Sequence, residues 1–448
     1  TAISMNSTDS TNETFIVAFV NSKSGGQHGT KVYNGLVRLF EIAAAAGTQP
    51  RNARGGVTGA GAVYDLSLVS TGKEHLPENV IRKQLTKHPN LRIIVCGGDG
   101  TMCWVLHAIA SLQLPVENTP PMAMIPLGTG NDLSRMFGWG KHFHKSQLTQ
   151  SHIQKIHTAT PEILDLWHLT VTMPSSGITD RVRKWLPPGL HLESKMHADN
   201  GDNEDNSNDA SEKKGETEQR DDGENNVEIY TGHICNYMSI GMTARGAMLF
   251  HQERERHPER FTGSLKNKMI YATKGCSMFC GDCCCHPDIR RSVSVQACSS
   301  TSTTNEFVDV PLSNCGTLAE INVLNIQSYS GGVITTPRRF STHSASPGDG
   351  LLEIVGLGGY QKTSAIVGLC TCCCVSPMTK FMQAKRVKLT VNTENEQPII
   401  AQFDGEPFYL PSGCVVEMNK EKNPVLVLSL KKRKKQKQKQ KQKQKQKR

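Results

Sequence analysis

Hydrophobic and polar positions are arranged in two styles along this chain. Between residues 15 and 140, unbroken apolar runs recur in "FIVAFVNSKSGG", "AVYDLSLVS", "LRIIVCGGDG" and "MAMIPLGTGND", each ending in Gly, Ser, Thr, Asn or Asp. Runs without a polar face belong to strands covered on both sides, and the stretches between them have helical spacing. Strands alternating with helices predict a three-layer α/β domain with a parallel sheet, over residues 14–158. From about 160 to 430 the runs are shorter and turn-bounded, which predicts a mostly β sandwich domain over 159–430. Residues 191–226 are polar, acidic and without periodicity, so they predict a disordered insert.

Composition changes this picture in three ways. A chain of 448 residues with 37% apolar content can hold two cores. The net charge of +10 comes from the end: residues 431–448 carry 12 of the 51 Lys and Arg, leaving 39 against 41 Asp and Glu. That tail alternates Lys and Gln without an apolar residue and predicts a second disordered segment. No apolar run reaches the ~18 residues of a membrane span, and "TAISMNSTDS" lacks the regions of a signal peptide. Fifteen Cys without a secretion signal point to reduced thiols in a cytoplasmic setting.

The candidate chemistry lies where the parallel strands end. Open α/β sheets bind ligands beyond the carboxyl ends of their strands. Here those ends carry Asn21, Ser24, Gly25 and Gly26, then Thr71, then Gly97, Gly98, Asp99, Gly100 and Thr101, then Gly128, Thr129, Asn131 and Asp132. Glycines let backbone approach an anion, and the helix after such a turn offers unpaired N–H groups and a positive dipole end. Glycine-rich turns also serve plain packing, but four converging on one edge favour a single nucleotide site. Later, "FDGEPF" sets Asp404 and Glu406 two apart. In an extended segment they share a face, and each raises the other's pKa toward that of a useful base. An exposed hairpin turn is the alternative reading.

Taken in order, "VNSKSGGQHG", "CGGDGTMCWVL" and "IPLGTGNDLSRMFGWG" resemble the catalytic domain of eukaryotic diacylglycerol kinases. The stretch from "NYMSIGMTARGAMLF" through "NIQSYSGG", "PGDGLLEIVGL" and "QFDGEPF" resembles that family's accessory domain. A bare GGDGT turn also occurs in nicotinamide dinucleotide kinases. The resemblance implies ATP-dependent phosphorylation of the free hydroxyl of diacylglycerol to phosphatidic acid, with Mg2+. A sphingoid or ceramide kinase and an inactive nucleotide-binding lipid scaffold are the alternatives. Asn21, Ser24, Gly25, Gly26, Thr71, Gly97, Gly98, Gly100, Thr101, Gly128, Thr129 and Asn131 fall where the family contacts nucleotide. Asp99 would order the metal–phosphate network, with Asp132 and Asp165 as weaker candidates for it. Asp132 serves equally well as a helix N-cap. Asp349 in "GDGLLE" resembles a structural magnesium position away from the chemistry. For the base, Asp404 is favoured over Glu406, because Gly405 leaves it the freer approach.

The chain shows no paired zinc-finger modules or calcium loop ahead of the kinase segments. For "CSMFCGDCCCH", three readings stay open: a zinc site of Cys276, Cys280, Cys283 and His286, buried apolar thiols, or thiols that meet a membrane. The basic tail suits an anionic membrane surface, with nonspecific nucleic-acid binding as its rival.

Overall fold

The computed structural model describes residues 14–25, 28–45, 61–197, 226–261, 288–358 and 378–431, with short breaks at 303–304, 315, 330, 335–344 and 395, and isolated positions between 267 and 273. Gly26, the Cys-rich segments 276–286 and 368–375, and the tail beyond Lys431 lie outside the described residues.

The first sheet forms from the four apolar runs: β1 (Phe15–Val20), β2 (Gly61–Asp65), β3 (Leu91–Gly97) and β4 (Met122–Pro126). They pair in parallel in the order β2-β1-β3-β4, and residues 16–20, 93–97 and 122–126 are buried, as strands covered on both faces must be. Helices α1 (His28–Ala45), α2 (Pro77–Leu85), α3 (Asp99–Ser111), α4 (Asp132–Met136) and α5 (Gln150–Thr158) connect them. β5 (Thr160–Leu164) closes the far edge.

The second unit is built from antiparallel neighbours: β6 (Trp167–Pro174), β7 (His191–His197), β8 (Asn226–Ile234), β9 (Tyr237–Gly241), β10 (Val293–Ser299), β11 (Val308–Asp309) and β12 (Leu318–Leu324). β13 (Ser328–Tyr329) and β14 (Val333–Ile334) form a separate ribbon, and β15 (Leu352–Gly358), β16 (Met378–Val391), β17 (Ile399–Phe403), β18 (Glu406–Leu410) and β19 (Val415–Lys420) complete the sheet. The short α6 (Asp180–Lys184) follows β6, and α7 (Met242–Arg256) follows β9. A large apolar core around Trp167, Phe408 and Val416 lies in this unit.

Two boundaries differ from the sequence expectation. β7 is a strand in the segment read as disordered from residue 191, pairing with β8 from His191↔Thr231 to His197↔Asn226. Its polar residues are held by ladder hydrogen bonds and by the Lys195–Glu228 ion pair, 2.9 Å, with little help from burial. The second correction is larger. β5 and β20 (Val425–Ser429), both assigned from sequence to the β domain, belong to the first sheet. β20 runs parallel to β4 and antiparallel to β5. Trp139 Nε1 donates to Leu428 O at 2.6 Å, tying it to the loop after α4.

Candidate active site

The turns after β1, β3 and β4 are knit into one surface. Asn21 N–H donates to Cys96 O at 3.0 Å and Leu127 N–H to Gly97 O at 2.7 Å, so each turn leaves its strand in register with its neighbour. Asn21 Nδ2 donates to Thr101 Oγ1 at 3.2 Å, and Ser24 N–H closes its own turn onto Asn21 O at 3.0 Å. Glycine is required where two turns touch. A Cβ on Gly128 would lie 2.6 Å from Gly98 Cα, and one on Gly25, at φ +66°, would lie 2.8 Å from Leu127 O. Gly97 packs on Thr101, and Gly98 caps α3, whose first turn holds Asp99, Gly100 and Thr101. This is a helix N-terminus of the kind that receives phosphate.

Thr71 does not end a strand. β2 stops at Asp65, and residues 66–71 coil as a 3-10 turn in which the Thr71 hydroxyl donates to Leu68 O at 2.6 Å. The residue at the strand end is Asp65, which sequence reasoning missed. Its carboxylate accepts from Ser67 N–H at 2.9 Å and Ser22 N–H at 3.4 Å, joining the turns after β1 and β2. The signal was present in "YDLS", since Asp is a favoured N-cap residue whose carboxylate accepts from the backbone N–H two residues on.

Asn131 is the N-cap of α4 in the left-handed region, φ +55°, and its side chain is spent on the loop. It accepts from Gly128 N–H at 3.0 Å and donates to Gly128 O and Lys141 O. Asn131 therefore shapes the turn from beneath, whereas the resemblance placed it against nucleotide. Thr129 lies between Gly128 and Gly130 in that turn.

Asp132, for which a helix N-cap was one of two readings, does not cap α4. Its carboxylate crosses to the second unit, accepting from Ser328 Oγ at 2.6 Å and Gly331 N–H at 2.9 Å. Asp99 turns toward the same place, accepting from Asp132 N–H at 3.0 Å and Leu133 N–H at 3.1 Å. Both carboxylates flank Gly130, whose Cβ would meet Asp99 Oδ2 at 3.2 Å and Asp132 Oδ2 at 3.4 Å. Burial first, then the Asp132 carboxylate, pushes the Asp99 carboxyl up to about 7. Two hard oxygen donors that repel across a glycine form a set a divalent cation would relieve, so these residues fit magnesium.

The second unit supplies Asp404 and Glu406, though not side by side on an extended face. Asp404 (φ +50°) and Gly405 (φ +90°) are the two turn residues between β17 and β18, the positive-φ pair that Asp-Gly favours in a tight hairpin. The turn sends the carboxylates to different partners. Asp404 is buried and accepts three backbone N–H bonds, from Cys235 at 2.8 Å and from Asn236 and Tyr237 at 2.7 and 3.1 Å. Burial outweighs those three donors and raises its pKa, as it does that of Glu406, so acidity does not separate the two. What sets Asp404 apart is that both its oxygens are already held by backbone N–H groups, which makes it a support for the hairpin. Glu406 lies beside the GGDGT turn instead. A Cβ on Gly100 would lie 3.6 Å from its Oε1, and its other oxygen is 3.9 Å from His251 Nδ1 on α7. Its carboxyl is partly open, and burial by surrounding protein raises its pKa while Arg254 opposes. His251 and Arg254 went unrecognised in the sequence, where they look like the polar face of an ordinary helix.

Asp165 stands apart from Asp99, which corrects its assignment to that network. It joins the Asp349 loop, accepting from Gly350 N–H at 2.6 Å and pairing with Lys420 Nζ at 2.8 Å. Asp349 turns both oxygens to its own loop, accepting from Ser346 N–H at 2.9 Å and Leu351 N–H at 3.1 Å. The Lys420 ammonium thus brings a positive charge to the loop where the resemblance places a structural magnesium.

A model of the diacylglycerol kinase catalytic domain matches residues 16–160, and one of the diacylglycerol kinase accessory domain matches residues 233–407. "Diacylglycerol kinase 4" of Arabidopsis thaliana is 31% identical over 424 residues, covering 90% of this chain and 78% of that protein. The chain belongs to the diacylglycerol kinase family. It is a kinase by that membership, and its two sheets carry the family's two domains. "Diacylglycerol kinase 5" of the same plant is 28% identical over 414 residues, covering 88% of this chain and 73% of that one. "Eye-specific diacylglycerol kinase" of Drosophila melanogaster is 29% identical over 380 residues, 85% of this chain, and the match spans 21% of the fly protein.

Proposed function

We propose that this kinase transfers the γ-phosphoryl group of ATP to the free hydroxyl of diacylglycerol, giving phosphatidic acid and ADP. The observation that carries the reading is the meeting of two units at one edge: Glu406 of the second lies against Gly100, in the phosphate-type turn of the first. The turns after β1, β3 and β4 offer backbone N–H groups and a helix N-terminus to the phosphates. Asp99 and Asp132 would hold the magnesium that accompanies ATP, which supplies charge neutralisation on the phosphates. Glu406 accepts the hydroxyl proton as the lipid oxygen bonds to the γ-phosphorus and the bond to ADP breaks, a task suited to a carboxyl whose pKa is raised. Asp404 acts at one remove as a positioning residue, gathering the backbone of residues 235–237 beneath the hairpin.

The lipid must be met at a bilayer. No helix among the described residues is long and apolar enough to cross one. The Lys-rich end supports peripheral attachment on a cytoplasmic anionic surface, at about 1 kcal/mol for each Lys held close.

The test is turnover of labelled ATP by the purified chain on diacylglycerol, sphingosine and ceramide in mixed micelles. Phosphatidic acid should dominate. Preference for either other lipid, or ATP consumption without lipid product, would overturn the assignment.

A further inference from the structure

Beneath the Asp404 hairpin lies a cluster that phosphoryl transfer does not use. Cys103 and His107 are four residues apart on α3, one turn along the same face, and Cys235 comes from the second unit between β8 and β9. Cys235 Sγ is 3.4 Å from His107 Nε2, and the ligand atoms of Cys103, Cys235 and Asp404 all lie within 4.8 Å of one another. Both cysteines are free and buried. Burial and the nearby His233 hold His107 neutral, with a pKa near 3, although the residue as a whole is only half-buried.

We infer that Cys103, Cys235 and His107, with Asp404 beside them, form a site for a thiophilic divalent cation such as Zn2+ at the seam of the two units. Two sulfurs, one imidazole nitrogen and one carboxylate oxygen are a donor set for tetrahedral zinc, and a poor one for magnesium. With Zn–S near 2.3 Å and Zn–N near 2.0 Å, ligand-to-ligand edges run about 3.4 to 3.8 Å. The Cys235–His107 sulfur–nitrogen edge is already that length, and the edges among Cys103, Cys235 and Asp404 need to contract by at most about 1 Å, while the His107 ring must swing toward Cys103 and Asp404 to complete the set. Binding forms two metal–thiolate bonds, and each thiol gives its proton to solvent. The held ion would link α3 to the strand junction under the hairpin, so its binding energy would resist separation of the units. The site is distinct in place and chemistry from the oxygen donors Asp99 and Asp132.

The test uses Co2+ as a spectroscopic probe and Zn2+ for stability, on the full chain with excess Mg2+. Parent, Cys103→Ser and His107→Gln proteins are compared, so that ions taken by other cysteines cancel. The parent should bind one more equivalent of Co2+ than either variant, with thiolate charge-transfer absorption that Mg2+ leaves untouched. Zn2+ should raise its unfolding midpoint more than theirs. His107→Gln, at a partly exposed position, keeps the comparison should Cys103→Ser fail to fold. Equal Co2+ stoichiometry and equal Zn2+ shifts in parent and variant would overturn the site and make the cluster a hydrogen-bonded thiol pair. The kinase assignment, read from the lipid assay without Zn2+, would be unaffected.

Discussion

Neutralising Asp404 leaves buried N–H groups of residues 235–237 facing an amide that offers one oxygen and two further donors, whereas Glu406 has no such framework duty. The two amide variants should therefore fail differently. Glu406→Gln should lose about 10²- to 10⁴-fold in turnover, with the unfolding midpoint and the half-saturating ATP concentration near those of the parent. Asp404→Asn should lose stability, on the order of 1 to 3 kcal/mol for each donor left unsatisfied. Thermal unfolding beside steady-state kinetics checks both. Turnover by Glu406→Gln within about threefold of the parent would remove it as the base. The pair was legible in "FDGEPF", but its division of labour was not. An extended reading puts both carboxylates on one face, and only the positive-φ turn at Asp404 and Gly405 parts them. The partners also come from sequence 150 residues and more away, beyond any local pattern.

At the scale of elements, the edge proposed to receive phosphate depends on two turns meeting without side chains. Gly128→Ala would drive a methyl to 2.6 Å from Gly98 Cα, backbone that cannot step aside, while Gly98→Ala meets Gly128 Cα at 3.2 Å. The first should be the worse, at roughly 1 to 3 kcal/mol or more of overpacking, with weakened ATP binding. Unfolding midpoints and ATP titration of the two variants give the comparison, and equal behaviour would sink it. The strands of this sheet were legible because they are covered on both faces and read as continuous apolar runs. β2 was read too long because "LSLVS" keeps an apolar rhythm while the backbone coils after Asp65. β7 was missed for the opposite reason: "HLESKMH" has little to bury and is a strand because β8 is beside it.

For the whole molecule, β20 is the element least visible beforehand, since "VLVLS" after a long β domain carries no local sign of which sheet it joins. It fills the place between β4 and β5, with Val427 and Leu428 buried. A chain ending at Pro424 should expose the β4 edge and be recovered as aggregate, whereas one ending at Lys431 should melt with the parent. Solubility and thermal unfolding of the two truncations decide this, and a soluble, cooperative shorter chain would refute it. Lengthwise order matters as much as position. β4 leaves the ribosome with Pro126, yet its neighbour arrives only with Val425, so at about 5 to 20 residues per second the first sheet waits on the order of 15 to 60 s for its last strand. During that interval the nascent chain carries an unpaired apolar edge that chaperones must shield. Translation that stops early leaves the first sheet without the strand that lies between β4 and β5.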